Sequence, residues 1–238
     1  MNKPRVFLEA DWRHLAMLNF VVDPEIVRPL TPPGTELDFF GGRTFLSVVG
    51  FQFARTRVFG IPIPLHTNFE EVNLRFYVRR WTEEGWRRGV VFVRELVPRA
   101  AIALAARMFY GEPYAALPMR HHVEQTDSGI HVVYRWLRGG RWEFIQATGL
   151  GDAQPVEPGS EEEFITEHYW GYTARGGGAA EYQVEHPPWK VWRAERGVIV
   201  ADIAGLYGER FARALSKPAA SAFIADGSAV VVRRQSRL

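Results

Sequence analysis

The chain has no cysteine in its 238 residues. That excludes disulfides, thiolate metal sites and a thiol nucleophile. Lysine is nearly absent too, occurring only at positions 3, 190 and 217, so an amine-based mechanism has three candidates. No run of about 18 apolar residues occurs, which leaves no spanning helix. The N-terminal MNKPRVFLEADW lacks the apolar core of a secretory signal. A soluble cytoplasmic protein without a membrane partner is expected. No G-x-S-x-G, P-loop or G-x-G-x-x-G stands in a supporting context, and the GGG at 176–178 reads as a hairpin turn. The seven histidines show no ligand spacing. His121 and His122 are adjacent and point to opposite faces of a strand, and nothing in the spacing of His168 and His186 requires them to meet. No metal and no cofactor are expected. Net charge is only +2, with arginines interleaved with glutamates. Pairs such as Arg79-Arg80, Arg87-Arg88 and Arg233-Arg234 fit a solvated surface better than a phosphate-binding stripe, so nucleic acid is not an expected partner.

The most informative stretch that is present is FEEVNLRFYV, 69–78. Val72, Leu74, Phe76 and Val78 fall on one face of a strand, and Glu71, Asn73, Arg75 and Tyr77 on the other, with Phe69 at the head. By pattern alone this is a half-exposed strand. A carboxylate, an amide, a guanidinium and a phenol at two-residue spacing also suit a cavity wall that grips a small polar ligand.

Strands dominate the remaining chain. The first is expected at 15–22. Asp23-Pro24-Glu25 then opens a short helix to about residue 30. Segments 36–40 and 44–53 are expected to form a hairpin across Gly41-Gly42. GIPIP at 60–64 leads to the polar-faced strand, and a further strand follows at 88–96. Pro98 opens a helix to Gly111 that is apolar nearly all round, so it should be largely buried, with Tyr110 in the core. A meander of 114–126, 130–137 and 142–148 follows. Ser160-Glu161-Glu162-Glu163 is a capping box that starts a short helix. A hairpin of 169–174 and 180–186, a strand around Trp192, a helix at about 208–215 and a last hairpin across Asp226-Gly227 complete the chain. No linker, repeat or low-complexity tract divides it, so residues 1–238 read as one domain. About a dozen short strands and a few helices suggest a closed or nearly closed antiparallel sheet. Closure would give the polar face of 69–77 an interior to line.

Three segments together, NFEEVNLRFYV (68–78), AARMFYGEPYAA (105–116) and EHPPW (185–189), resemble the YqjF-like family (DUF2071) of the acetoacetate decarboxylase-like superfamily. PEIVRPLTPPG (24–34) fits the same order and spacing, so the resemblance covers nearly the whole chain. It implies a mainly β fold: an antiparallel β-barrel or cone with a central cavity and a few flanking helices. Acetoacetate decarboxylases carry a Schiff-base lysine and a second lysine in a G-x-P-K-K type turn. The matching turn here is Gly111-Glu112-Pro113-Tyr114-Ala115, with Tyr114 and Ala115 at the two lysine positions. An iminium electron sink needs an amine, so the Schiff-base route is not expected. The family's Y-x-E carboxylate matches Glu71.

These observations give three readings. The leading one is a protein that binds a small carbonyl- or carboxylate-bearing ligand in its cavity, through Arg75, Asn73, Tyr77 and Phe69, with Glu71 helping to orient it. The second is a lyase- or hydrolase-type enzyme without a Schiff base, in which Glu71 transfers the proton and Tyr114 or Arg75 stabilises negative charge. The third is a structural or interaction protein with a filled barrel, in which Glu71 and Arg75 simply pair and Tyr114 fills the lysine's space. A filled interior around Arg75 would favour the third. An open pocket with no second titratable group near Glu71 would favour binding over catalysis. The sequence leaves the oligomeric state open.

Overall fold

The structure, a computed structural model, describes residues 4–104 and 111–238. Extended segments follow the apolar alternation almost throughout. In chain order they are β1 (Val6–Val22), β2 (Glu36–Leu37), β3 (Thr44–Val58), β4 (Ile61–Pro62), β5 (Phe69–Thr82), β6 (Gly85–Val97), β7 (Tyr114–Ala116), β8 (Met119–Thr126), β9 (Gly129–Arg138), β10 (Arg141–Leu150), β11 (Gln154–Pro155), β12 (Trp170–Arg175), β13 (Gly178–Glu185), β14 (Lys190–Val200), β15 (Ser221–Arg233) and β16 (Ser236–Arg237).

The strands β13, β12, β6, β5, β3, β1 and β15 are hydrogen-bonded neighbours in that order, and pairing of β13 with β15 closes them into a ring. The closing register is Val184 with Val232 and Glu185 with Val231. Neighbours in the ring are antiparallel except β12 and β6, which meet in parallel at Trp170 and Gly171. From β15 the sheet continues through β14, β10 and β9 to β8. This extension folds back over the outside of the ring. Val132, Tyr134, Trp136 and Ile145 share one apolar core with Leu18, Val48, Val72 and Leu74. The helices Ile203–Tyr207 and Glu209–Leu215 contribute Leu206, Phe211 and Leu215 to the same core.

A second core lies inside the ring, where Met17, Val49, Phe51, Tyr77 and Val90 pack with Phe164 and Ile165. Phe164 and Ile165 belong to the helix Glu161–Thr166. That helix is capped as the sequence expects, with the Ser160 side chain accepting from the Glu163 amide. Strand β5 therefore has apolar layers on both sides, and its polar face is not a wet surface: Glu71, Asn73 and Tyr77 are all buried.

Several expected elements differ. Segment 36–40 does not form a hairpin with 44–53. Phe40 and Arg43 make only an isolated bridge around Gly41-Gly42, and Glu36–Leu37 pairs instead with Arg79 and Val78 of β5. That edge of β5 is free because its pairing with β3 ends at Phe76. Segment 114–126 is two strands, broken before Met119 by Pro118, which has no N–H for a ladder. Asp226-Gly227 is not a turn but lies within β15. Gly227 has φ +80°, and a Cβ there would sit 2.1 Å from the Trp12 carbonyl oxygen, so the glycine serves close approach of β1. The helix expected from Pro98 begins at residue 100. Its described part is not largely buried: Leu104 is 58% exposed and only Ala103 is buried. Tyr110 lies outside the described residues.

Candidate functional site

Strand register decides what faces the ring's interior. On β5, Glu71 lies opposite Phe51 of β3, Asn73 opposite Val49 and Arg75 opposite Ser47. Opposed residues of an antiparallel pair share a face, so Glu71, Asn73 and Arg75 point inward with those partners. On the other side, Asn73 lies opposite Glu95 of β6 and Arg75 opposite Phe92. The register slips between Leu74 and Arg75. This bulge lets Phe92 and Glu95, three residues apart, both face inward.

The interior holds a cavity of about 260 Å³. Its walls are mostly aromatic and aliphatic, including Trp12, Phe51, Phe53, Phe69, Phe92 and Trp189. Ile63 and His66, neither of them fully buried, also line it. Of the residues proposed from sequence, Phe69, Glu71, Asn73, Arg75 and Tyr114 line the cavity. Tyr77 does not. It is fully buried beside the cavity, where its hydroxyl donates to Ser47 Oγ at 2.7 Å.

One end of the cavity is acidic. Glu71, Glu95 and Glu112 all line it, and none is more than 6% exposed. Asn73 Nδ2 donates to Glu71 Oε1 at 2.9 Å, and the Tyr114 hydroxyl donates to Glu71 Oε2 at 3.1 Å. Tyr182 donates to Glu112 Oε1 at 2.5 Å. Its ring lies over the bare backbone of Gly171. Strand β7 carries Tyr114 into place by running parallel to β6, with Tyr114 beside Glu95, and Glu112 stands two residues before that strand. Gly111, at φ +70°, makes the turn that leads in. Glu71 is held by Asn73 and Tyr114. Among the described residues no ion pair joins it to Arg75.

Burial dominates the titration of this cluster. It pushes the Glu71 carboxyl up to about 7, against the hydrogen bonds from Asn73 and Tyr114 and the positive charge of Arg75. Burial raises Glu112 to about 8, opposed by the Tyr182 bond and reinforced by Glu71. Glu95 is raised well above the usual carboxylate range by burial and by its neighbours Glu112 and Glu71. Burial and the three carboxyls also raise Tyr114, which stays a proton donor.

The other end is basic in composition but mostly neutral. Half-buried Arg75 donates through Nη2 to the Ile165 carbonyl at 3.2 Å. His168 Nε2 lies 3.3 Å from Asp38 Oδ2, which also accepts from Arg88 Nε at 2.7 Å. Burial lowers His168 to about 4 despite Asp38, and lowers His186 to about 4 as well. His186 stacks on Trp189 at 4.0 Å. The two histidines thus line one cavity without bonding to each other. Buried polar atoms without a partner among the described residues gather around this space: Asn73 Oδ1, Glu95 Oε2, Arg75 Nε and His168 Nδ1. No group of three acidic, histidine or cysteine side chains among the described residues is placed to hold a metal ion.

The sequence reading missed Glu95, Glu112, Tyr182, His168 and His186 as site residues. Glu112 stands within the turn aligned to the lysine motif, which was a usable signal. Glu95 was hidden because the bulge breaks the two-residue period.

A mainly β ring around a polar-ended apolar cavity is an acetoacetate decarboxylase-like fold, as comparison with solved structures shows. Acetoacetate decarboxylase from Legionella pneumophila superposes with a TM-score of 0.65 at 14% identity, covering 100% of this chain and 90% of that one. The enduracididine biosynthesis enzyme MppR, complexed with pyruvate, gives 0.69 at 12% identity, covering 100% and 91%. With that fold, the chain belongs to the family DUF2071, described as an uncharacterized conserved protein, which it matches over residues 9–229. It is 27% identical over 199 residues to the uncharacterized protein YqjF of Bacillus subtilis (strain 168), covering 83% of this chain and 80% of YqjF.

Proposed function

We propose that the protein binds a small organic molecule in the ring cavity, with Arg75 gripping its carbonyl or carboxylate end, Asn73 contacting it further along β5, and the aromatic walls holding its body. The observation that carries this reading is the inward polar row of β5 opening onto an apolar space of about 260 Å³. Scaled from the ~150 Å³ apolar cavity that accepts benzene, this suits a ligand of roughly ten non-hydrogen atoms. An empty space beside Arg75 weighs against a filled structural barrel. Arg75 supplies the donor for a carbonyl or carboxylate group. MppR, with the same fold, is complexed with pyruvate.

The three lysines give little support to an amine mechanism. Lys190 and Lys217 are exposed, and no described lysine lines the cavity. A second reading, acid–base catalysis without a Schiff base, is favoured by one observation. Glu71 has further titratable groups beside it and is raised to about 7, where a carboxyl can both take and give a proton. In that reading Glu71 moves the proton and Tyr114 stabilises negative charge.

Native mass spectrometry of freshly purified protein tests the binding reading by looking for a co-purified small molecule. Arg75→Met is then expected to weaken its binding by about 1.5–3 kcal/mol, the range for hydrogen bonds to charged groups. Unchanged affinity with a lowered melting temperature would make Arg75 a structural counter-ion and place the binding site elsewhere.

A further inference from the structure

We propose that the ligand carries a basic nitrogen, an ammonium or amidinium group, that docks among Glu71, Glu95 and Glu112. This rests on the cavity-binding reading and adds the chemical class of the ligand's second polar group.

The argument starts from the unpartnered atoms. At the acid end, Asn73 Oδ1 and Glu95 Oε2 are buried in residues only 1% exposed and have no hydrogen-bond partner among the described residues. The amide orientation of Asn73 is set by its donation to Glu71, so Oδ1 is left as an acceptor. A buried acceptor without a donor pays its desolvation without compensation. At the other end, Arg75 Nε is an unpartnered donor. The unmet needs are therefore opposite at the two ends. With its carboxyls ionised the acid end lacks donors, and the Arg75 end lacks an acceptor. Glu71 and Arg75 are four residues apart along β5, which separates their backbone positions by ~13 Å.

Charge gives the same assignment. Among the described residues three carboxyls and one guanidinium line the cavity, so their full ionisation would leave a net negative charge in a low-dielectric space. Without a cation, the cluster lowers that cost by keeping protons. An ammonium supplies three N–H donors and the missing charge together. On its arrival the carboxyls ionise and their protons leave to solvent. The donors are not placed for a metal ion among the described residues, and the apolar walls favour an organic cation over an inorganic one.

The test uses the full chain and three matched six-carbon probes, hexylammonium, hexanoate and hexanol, in isothermal titration calorimetry at pH 7 in buffers of different ionisation enthalpy. Hexylammonium is expected to bind with net proton release. Glu95→Gln and Glu112→Gln should each weaken it by roughly tenfold or more, the scale of a lost charged hydrogen bond, and by more than they weaken hexanol. If one variant does not fold, the sign of proton exchange in the wild type decides. Binding of hexylammonium without proton release, or with unchanged affinity in both variants, would overturn the inference. If hexanoate or hexanol binds and hexylammonium does not, the cavity reading stands and the basic nitrogen is wrong. If no probe binds, both are wrong.

Discussion

Replacing Glu71 by Gln should stabilise the protein in a pH-dependent way, and the structure sets the size of the effect. Glu71 is buried, and its carboxyl is raised from 4.5 to about 7. Between those two values the folded state keeps a proton that the unfolded chain has released. Stability therefore falls as pH rises from 4.5, and the fall ends once pH passes about 7. A displacement of that size corresponds to about 3 kcal/mol at 1.36 kcal/mol per pKa unit. Gln cannot ionise, so the variant escapes this loss. Its carbonyl can accept from Asn73 in place of Oε1, and its NH₂ can face the Tyr114 hydroxyl, which can also accept. Near pH 4.5 the variant should thus match wild type to within about 1 kcal/mol, the net worth of one hydrogen bond. At pH 8 it should be more stable by about 3 kcal/mol, or roughly 6–12 °C in melting temperature for a chain of this length. Urea unfolding and thermal melts of both proteins from pH 4.5 to 8.5 give the comparison. Parallel pH profiles would show that Glu71 titrates in its ordinary range, and the account of a proton-holding cluster would fail with it.

Two further outcomes follow from the same site. Gly171→Ala places a Cβ 2.2 Å from the Tyr182 ring. The ring must move and give up its bond to Glu112, so we expect about 1–3 kcal/mol of destabilisation from overpacking. Urea unfolding measures it, and wild-type stability would mean that the ring is not fixed there. Borohydride treatment with acetoacetate should leave no covalent adduct in the cavity, because Tyr114 and Ala115 stand at the lysine positions of the aligned turn; an adduct mapped there by peptide mass spectrometry would refute that alignment.

The sequence by itself settled which residue types were available and much of the local structure. The missing cysteines and scarce lysines bound the chemistry before any fold is known. Alternation at 69–78 placed Glu71, Asn73 and Arg75 on one face, because side chains on a strand alternate whatever the strand packs against. The Ser160 cap and the 169–186 hairpin were legible for the same local reason. The segment resemblance supplied the fold class, since it draws on the whole chain at once.

Tertiary structure decided everything that depends on which strands meet. Both faces of β5 are buried only because the β8–β10 layer folds back over the ring, and no pattern within 69–78 could tell that from a half-exposed strand. The ends of β2 pair with β5 because the β3 ladder stops short, a fact of register. Gly227 read as a turn and proved to be a point of close approach to Trp12. Glu95 joins the site through a bulge, and Glu112 through the Gly111 turn that leads into β7. Bulges and crossovers are set by long-range pairing, so the carboxyl cluster they assemble has no counterpart in local sequence spacing.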